Sequence, residues 1–226
     1  MTLLIVNSNT TPAITDLLRT EAQRVVRPGT GITALTAAHG PAAIETPQDV
    51  DAAARATEEA ICGHDGPVDA AVIACFSDPG LAAIRRRCAF PVVGLAEAAM
   101  FAACMLGARF SIVTVSPPSV PGILSLARAY GLSQRLSGVH ALDRGVLQGH
   151  RDPEGTLGQL GDLAARSLAT DGSDVIVLGG AITAGMARRI APRLDRPVVD
   201  CLAAAVLMAE ALAPSWQQGR GSRARS

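Results

Sequence analysis

One cysteine of the chain lies where a reactive thiol could do chemistry. Cys75 ends the apolar run "DAAVIAC" and precedes "FSDPGLAAIRR", in which Ser77 or Asp78 could cap a helix with Pro79 in its first turn. A thiol beside free backbone amides at the positive end of a helix has a lowered pKa, so we expect a Cys75 thiolate near neutral pH. Such a thiolate can take a proton from carbon and return one. The alternative is that Cys75 is a small buried hydrophobic residue, but its place at the end of the run favours chemistry.

Other apolar runs end in uncharged polar residues or glycines that could bind substrate oxygens. Asn9 follows "LLIVNS", where it could hold a carboxylate or a ring carbonyl or, equally, cap the next helix. Thr114 and Ser116 in "TVSPPS" offer hydroxyl groups, with an ordinary turn as the alternative. Gly180 in "VIVLGGAIT" would let a ligand approach the backbone amides around Ala181, an arrangement that stabilises an enolate or carboxylate oxygen.

Eight short apolar runs, each followed by an alanine-rich segment of helical length, predict parallel sheets covered on both faces. Their order repeats, because "DAAVIAC" and "PVVGLAEAA" match "DVIVLGG" and "PVVDCLAAA", and "LLIVNSN" matches "SIVTVS". We therefore expect an α/β protein of two pseudosymmetric lobes, each a parallel sheet flanked by helices, with a cleft between them. The runs span residues 2–6, 31–37, 69–75, 91–94, 110–115, 137–142, 174–180 and 197–200.

The repeat also sets the expected lobe boundaries. Residues 1–100 form the first lobe, to which a C-terminal helix over 203–215 returns, and residues 101–202 form the second lobe. Residues 216–226 are expected to be a disordered tail.

The same repeat predicts which residues meet in the cleft. It pairs Cys75 with Gly180 and Asn9 with Ser116, and open parallel sheets bind ligands beyond the carboxyl ends of their strands. We expect the Cys75 sulfur and the Gly180 Cα to face each other about 7–9 Å apart, with a flat substrate carbon between contacts of about 3–3.5 Å on each side.

Composition excludes several classes of protein. Twenty basic and twenty acidic residues cancel, lysine is missing, and the arginines are scattered, so no basic stripe for nucleic acid is expected. The five cysteines have neither metal-ligand spacing nor the pattern of a disulfide framework. No glycine-rich dinucleotide or Walker sequence is present, and a reaction without cofactor or metal is the natural expectation.

The longest apolar segments also argue against a membrane protein. They contain Glu97 and Glu210 and fall short of a membrane-spanning helix. We expect a cytoplasmic protein with reduced thiols, and the apolar helices favour a homo-oligomer.

Several stretches of residues 1–212 resemble the aspartate/glutamate/hydantoin racemase superfamily, most closely its hydantoin and allantoin racemase branch. They are "IVNSNTT", "GPAAIE", "IACFSDPGL", "VVGLAEAA" and "PVVDCLAAAV". The resemblance implies a two-lobed pseudosymmetric fold and a cofactor-independent mechanism, in which two cysteines flank the substrate α-carbon and exchange its proton from opposite faces. Cys75 matches the first of these cysteines. Gly180, in "LGGA", stands where the resemblance implies the second.

Four explanations of this departure are open. Cys201, which also ends an apolar run, could be the second acid/base. One thiol could suffice, as in the related arylmalonate decarboxylases. Their single cysteine is on the lobe that has glycine in this chain, so this chain would be their mirror arrangement. The glycine could be an engineered exchange, or the protein could be an inactive ligand binder.

The resemblance and the residues together predict an isomerase for a small-molecule carbonyl or carboxylate substrate. The expected activity is racemisation of a hydantoin, allantoin or amino-acid-like substrate by cysteine acid/base chemistry at the α-carbon. Cys75 is the expected catalytic residue, and the expected oxygen-binding residues are Asn9, Ser77, Thr114, Ser116, Gly180 and Ala181. A single-cysteine decarboxylase is the alternative.

Overall fold

The computed structural model describes residues 1–223, with side chains described through Trp216. Within these residues, eight strands form two four-stranded parallel sheets. The first sheet has the order β2-β1-β3-β4 and the second has the order β6-β5-β7-β8, so both lobes share one topology. All eight predicted strands and the predicted repeat are confirmed. The strands are β1 Thr2–Asn7, β2 Gly31–Thr36, β3 Ala70–Ile73, β4 Val92–Gly94, β5 Phe110–Thr114, β6 Leu136–Ala141, β7 Val175–Leu178 and β8 Val198–Asp200.

Helices cover both faces of the sheets, and local sequence explains where several of them begin. Thr46 and Asp49 form a reciprocal capping box at the start of α2, and Asp152 accepts a hydrogen bond from the Gly155 N–H at the start of α7. Proline stands in the first turn of both helices. The helices are α1 Pro12–Gln23, α2 Pro47–Cys62, α3 Leu81–Arg87, α4 Leu95–Leu106, α5 Val120–Ala129, α6 Val146–Arg151, α7 Pro153–Asp171, α8 Ala187–Ile190 and α9 Cys201–Arg223.

The central strands of both sheets lie in the apolar core of the protein. Strands β3 and β7 are buried along their whole length, as are residues 3–6 of β1. Burial of such runs is the main favourable contribution to folding, at about 25 cal/mol per Å² of apolar surface. Because these strands are buried, they hold the residues at their carboxyl ends in fixed positions.

Two apolar helices join the lobes. Helices α4 and α9 pack on each other, α9 also packs on β3 and α1 of the first sheet's lobe, and α4 reaches β7. The exact lobe boundaries stay a prediction, as do the cytoplasmic location and the homo-oligomer. None of the helices within residues 1–223 is long and apolar enough to cross a membrane.

The last described residues of the chain belong to a helix. Helix α9 continues through Arg223, and the Trp216 indole N–H donates to the Ala89 carbonyl oxygen at 2.8 Å. The disordered tail over residues 216–226 stays a prediction. Residues 224–226 of that prediction lie outside the described residues.

Candidate active site

A cavity of about 510 Å³ lies at the carboxyl ends of the strands and is lined by both lobes. The structure brings together in it seven of the eight site residues predicted from the sequence. Phe76 and Gly179 show how closely the two lobes approach, since a Cβ on Gly179 would lie 2.8 Å from the Phe76 ring. The separation of 7–9 Å between the Cys75 sulfur and Gly180 Cα stays a prediction. The seven lining residues are Asn9, Cys75, Ser77, Thr114, Ser116, Gly180 and Ala181.

Cys75 is half-buried in this cavity, two residues after β3. Its sulfur lies 3.1 Å from the Ser77 hydroxyl oxygen. Burial raises the pKa of the Cys75 thiol to about 11, and the nearby Asp78 charge adds to this, while hydrogen bonds from the Ser77 hydroxyl and N–H act in the opposite direction. The expectation of a lowered pKa was therefore wrong. Helix α3 begins only at Leu81, so the helix that follows Cys75 does not start at the thiol as the sequence had suggested.

Asp78 does not cap the helix that follows it, contrary to the prediction. Its carboxylate accepts hydrogen bonds from the N–H groups of Ala96 at 2.9 Å and Glu97 at 2.8 Å, in the first turn of α4. The Tyr130 hydroxyl donates to it at 2.7 Å from the end of α5. The Asp78 φ of 45° is rare for a residue other than glycine. The turn that carries Cys75 is thus anchored on α4 and α5.

Gly180 holds a backbone conformation that favours glycine, with φ of 128°. Its carbonyl oxygen accepts from the Thr183 N–H at 3.0 Å, from the Thr183 hydroxyl at 2.8 Å and from the Cys201 thiol at 3.5 Å. In a trans peptide the next N–H points the opposite way, so the Ala181 N–H points away from Cys201. Among the described residues no acceptor bonds to this N–H. Since Ala181 lines the cavity, its amide is left as a donor for a ligand.

Cys201 is the one predicted site residue that the structure does not bring into the cavity. It is the first residue of α9, is fully buried, and is not part of the cavity wall. Burial raises the pKa of its thiol far above the usual range. Cys201 as the second acid/base stays a prediction, which its burial outside the cavity wall does not favour. Cys201 instead helps to hold the Gly180 carbonyl.

Two further donors belong to residues that line the cavity just after β1 and β5. The Ser116 hydroxyl is buried and has no hydrogen-bond partner among the described residues. The Asn9 Oδ1 accepts from Asn7 Nδ2 at 3.0 Å and from the Thr11 N–H at 2.9 Å. These bonds leave the Asn9 Nδ2 as a donor. A buried hydroxyl without a partner is costly unless a ligand or water satisfies it.

The sequence interpretation missed the carboxylates of this cavity, Glu45 and Asp51. The Glu45 Oε1 accepts from the Val146 N–H at 2.5 Å, at the start of α6 in the opposite lobe. Glu45 ends the stretch "GPAAIE", whose sequence contributes to the family resemblance but does not indicate a role for this side chain. Its contact is with α6, far along the chain, so no local sequence pattern could predict it. Among the described residues that line the cavity, no arginine, lysine or histidine occurs.

Known proteins resemble this chain over nearly its whole length. The profile of the family described as Asp/Glu/Hydantoin racemase matches residues 3–209. A hydantoin racemase of Paenarthrobacter aurescens is 37% identical over 214 residues, which cover 94% of this chain and 91% of the relative. The structure of the allantoin racemase from Klebsiella pneumoniae superposes with a TM-score of 0.91 at 38% identity, covering 95% of this chain and 88% of that one.

A more distant structure shares the fold alone. Arylmalonate decarboxylase superposes with a TM-score of 0.66 at 17% identity, covering 94% of this chain and 92% of that one. The two racemases, at 37% and 38% identity, confirm the expectation of a racemase-type isomerase. From the match over residues 3–209 and from these relatives, the chain belongs to the Asp/Glu/hydantoin racemase family.

Proposed function

We propose that the protein racemises a neutral cyclic ureide of the hydantoin or allantoin type at its α-carbon, with Cys75 as the acid/base on one face. One observation carries this proposal: the cavity holds a single thiol among neutral donors, and its described lining residues include no cation. A carboxylate substrate would lack a counter-ion there and would meet two carboxylates, whereas a neutral ring needs none. The names of the hydantoin and allantoin racemases among the relatives support the same substrate class.

In this proposal the Cys75 thiolate removes the α-proton, and the electron pair moves onto the ring carbonyl oxygen. The Ser116 hydroxyl, the Asn9 amide and the Ala181 N–H are the donors that would stabilise the enolate oxygen. The raised pKa of Cys75 makes its thiolate a stronger base once formed, although less of it is present at neutral pH. The scheme uses no cofactor.

The opposite face needs a different proton carrier, because Gly180 has no side chain. The described cavity residues with an acidic side chain are Cys75, Glu45 and Asp51. Glu45 is bound to α6 of the second lobe, and Ile182, two residues after Gly180, packs on that helix at Gly149. We assign the second face to Glu45, whose Oε2 has no hydrogen bond to a described residue.

A decarboxylase is the second candidate, because a single thiol could protonate one face of an enediolate after loss of carbon dioxide. The same donors would stabilise that intermediate, and one enantiomer would result. The two carboxylates and the lack of a cation among the described lining residues argue against a dicarboxylate substrate.

The test is a substrate panel analysed by chiral chromatography and carbon dioxide release. Each enantiomer of several 5-substituted hydantoins, both enantiomers of allantoin, and an arylmalonate are incubated with the protein. The proposal predicts that a hydantoin or allantoin racemises and that no carbon dioxide forms from the arylmalonate. Carbon dioxide release with one enantiomeric product would establish the decarboxylase instead. Binding without turnover of any compound would contradict both activities.

A further inference from the structure

Two cysteines outside the active-site cavity lie close enough to react with each other. The sulfur atoms of Cys62 and Cys88 are 4.0 Å apart. Cys62 is the last residue of α2, and Cys88 follows directly after α3, the helix that packs on α2. Neither residue lines the cavity that contains Cys75. The pair is therefore a separate feature of the first lobe.

One sulfur of the pair is open to reagents and lies among charged side chains of both signs. Cys62 is exposed and lines a surface cavity of about 390 Å³ together with two arginines and two glutamates, Arg55, Arg87, Glu58 and Glu59. The Arg87 guanidinium interacts electrostatically with both sulfurs and is itself paired with Glu58 at 2.5 Å. Burial, and then the neighbouring Cys62, raise the pKa of the Cys88 thiol to about 12. Cys62 is thus the sulfur that a reagent meets first.

We propose that Cys62 and Cys88 form a dithiol that low-molecular-weight disulfides oxidise to a reversible intramolecular disulfide. The Cys62 thiolate attacks one sulfur of the small disulfide and expels one small thiolate, which leaves a mixed disulfide on Cys62. The Cys88 sulfur then attacks the Cys62 sulfur and expels the second small thiolate. The protein loses two electrons and two protons, and the small disulfide gains both as two thiols.

The geometry permits this bond with a local movement. A disulfide needs its sulfurs about 2.05 Å apart, so the pair must close by roughly 2 Å. Cys62 can supply this movement, because it is exposed at the end of α2 and the next residue is Gly63. The bond would close a loop over residues 62–88, which contains β3 and Cys75. Closing such a loop restricts the unfolded chain, so the oxidised protein should melt at a higher temperature than the reduced protein.

The experiment treats the full-length protein with oxidised glutathione and counts free thiols after denaturation. The structure has five free cysteines, so closure of the pair predicts a fall from five titratable thiols to three. The protein mass should fall by about 2 Da, dithiothreitol should reverse both changes, and tandem mass spectrometry should find Cys62 joined to Cys88. Melting should shift upward by a few degrees or more.

Matched variants decide the outcome. Cys62→Ser should prevent the bond, and Cys88→Ser should stop the reaction at a mixed glutathione disulfide on Cys62. Cys104→Ser, a half-buried thiol elsewhere, should still form the bond. A stable glutathione adduct on the unchanged protein, or five remaining thiols, would overturn the proposal. These readouts measure mass and melting, so they do not depend on whether the protein racemises hydantoins.

Discussion

The raised pKa of Cys75 predicts how its reactivity depends on pH. Below a pKa of about 11 the thiolate fraction rises tenfold for each pH unit. The rate at which iodoacetamide alkylates Cys75 should therefore climb without a plateau between about pH 7 and pH 9. Peptide mass spectrometry can follow Cys75 separately from the other cysteines. A plateau near neutral pH would show that the thiol is acidic, as the sequence alone had suggested.

Gly180 is the residue at which a second thiol could be restored. A Cβ there would lie 3.9 Å from both the Thr114 Oγ1 and the Thr183 Cγ2, so the space is open. The φ of 128° nevertheless strains any side chain, at a cost of about 1–3 kcal/mol.

We expect Gly180→Cys to lower the free energy of unfolding by about that amount and to raise the racemisation rate. Gly180→Ala, the matched control, should show the same loss of stability in urea unfolding without the gain in rate. An equal change of racemisation in both variants would mean that the new thiol does not reach the substrate.

The residues that follow the strands could be predicted because their place depends only on where buried runs end. Seven of eight candidate residues line one cavity for this reason. The environment of each side chain could not be predicted, because it depends on partners that are distant along the chain. Cys201 and Leu95 occupy equivalent positions in the sequence repeat, and both are fully buried. Their alignment could therefore have indicated that Cys201 belongs to the core.

At the scale of single elements, the turn after β3 is held by a buried carboxyl. The Asp78 φ of 45° and its three hydrogen bonds to α4 and Tyr130 fix the turn that carries Cys75. The sequence suggested a local cap because aspartate precedes a helix, but the helix it caps starts at Leu95. In the second lobe Asp200 also caps a helix: its carboxylate accepts hydrogen bonds from the N–H groups of Leu202 and Ala203 in the first turn of α9.

The pKa of Asp78 gives a prediction for stability against pH. Burial raises this pKa from 3.8 to about 6, so between these values the folded protein binds more protons than the unfolded chain. The contribution of Asp78 to the free energy of unfolding is therefore largest below pH 3.8 and falls as the pH rises through 6, by about 3 kcal/mol.

Asp78→Asn removes this titration. Urea unfolding of both proteins at a series of pH values should show the stability of the unchanged protein falling relative to the variant between about pH 4 and pH 6. Groups common to both proteins cancel in the difference. Parallel curves would mean that Asp78 titrates at its ordinary pKa.

In the proposed mechanism the loop before α2 supplies the carboxylate, Glu45, that serves the face opposite Cys75. Glu45→Gln keeps an oxygen acceptor for the Val146 N–H but cannot carry the proton. Racemisation should fall by roughly 10²-fold or more, the loss typical of one general acid/base. Exchange of the α-hydrogen without inversion should persist for the enantiomer whose hydrogen faces Cys75.

Asp51→Asn is the matched control, because Asp51 lines the same cavity from α2 of the first lobe. It should racemise at nearly the unchanged rate. An equal loss in the two variants, or none in Glu45→Gln, would remove Glu45 from the mechanism and leave water as the proton source on that face.

At the scale of the whole molecule, the repeat in the sequence and the repeat in the fold agree. Runs of buried β-branched residues recur in one order, and both sheets have the same strand order in consequence. The repeat could not predict that the lobes differ chemically. The first lobe presents the thiol of Cys75, while the second presents the Ala181 amide beside Gly180. This asymmetry predicts that the two faces of a substrate exchange their proton with different groups and at different rates.

The central claim, that Cys75 is the acid/base on one face, is tested most directly by α-hydrogen exchange in heavy water. Each enantiomer of a 5-substituted hydantoin is followed by NMR and chiral chromatography with the unchanged protein, Cys75→Ala and the control Cys104→Ala. The unchanged protein and the control should incorporate deuterium and racemise from both enantiomers. Cys75→Ala, with its fold intact, should lose roughly 10²–10⁴-fold in racemisation in both directions and in exchange of the enantiomer whose hydrogen faces Cys75. Near-normal exchange and racemisation in Cys75→Ala would contradict the account.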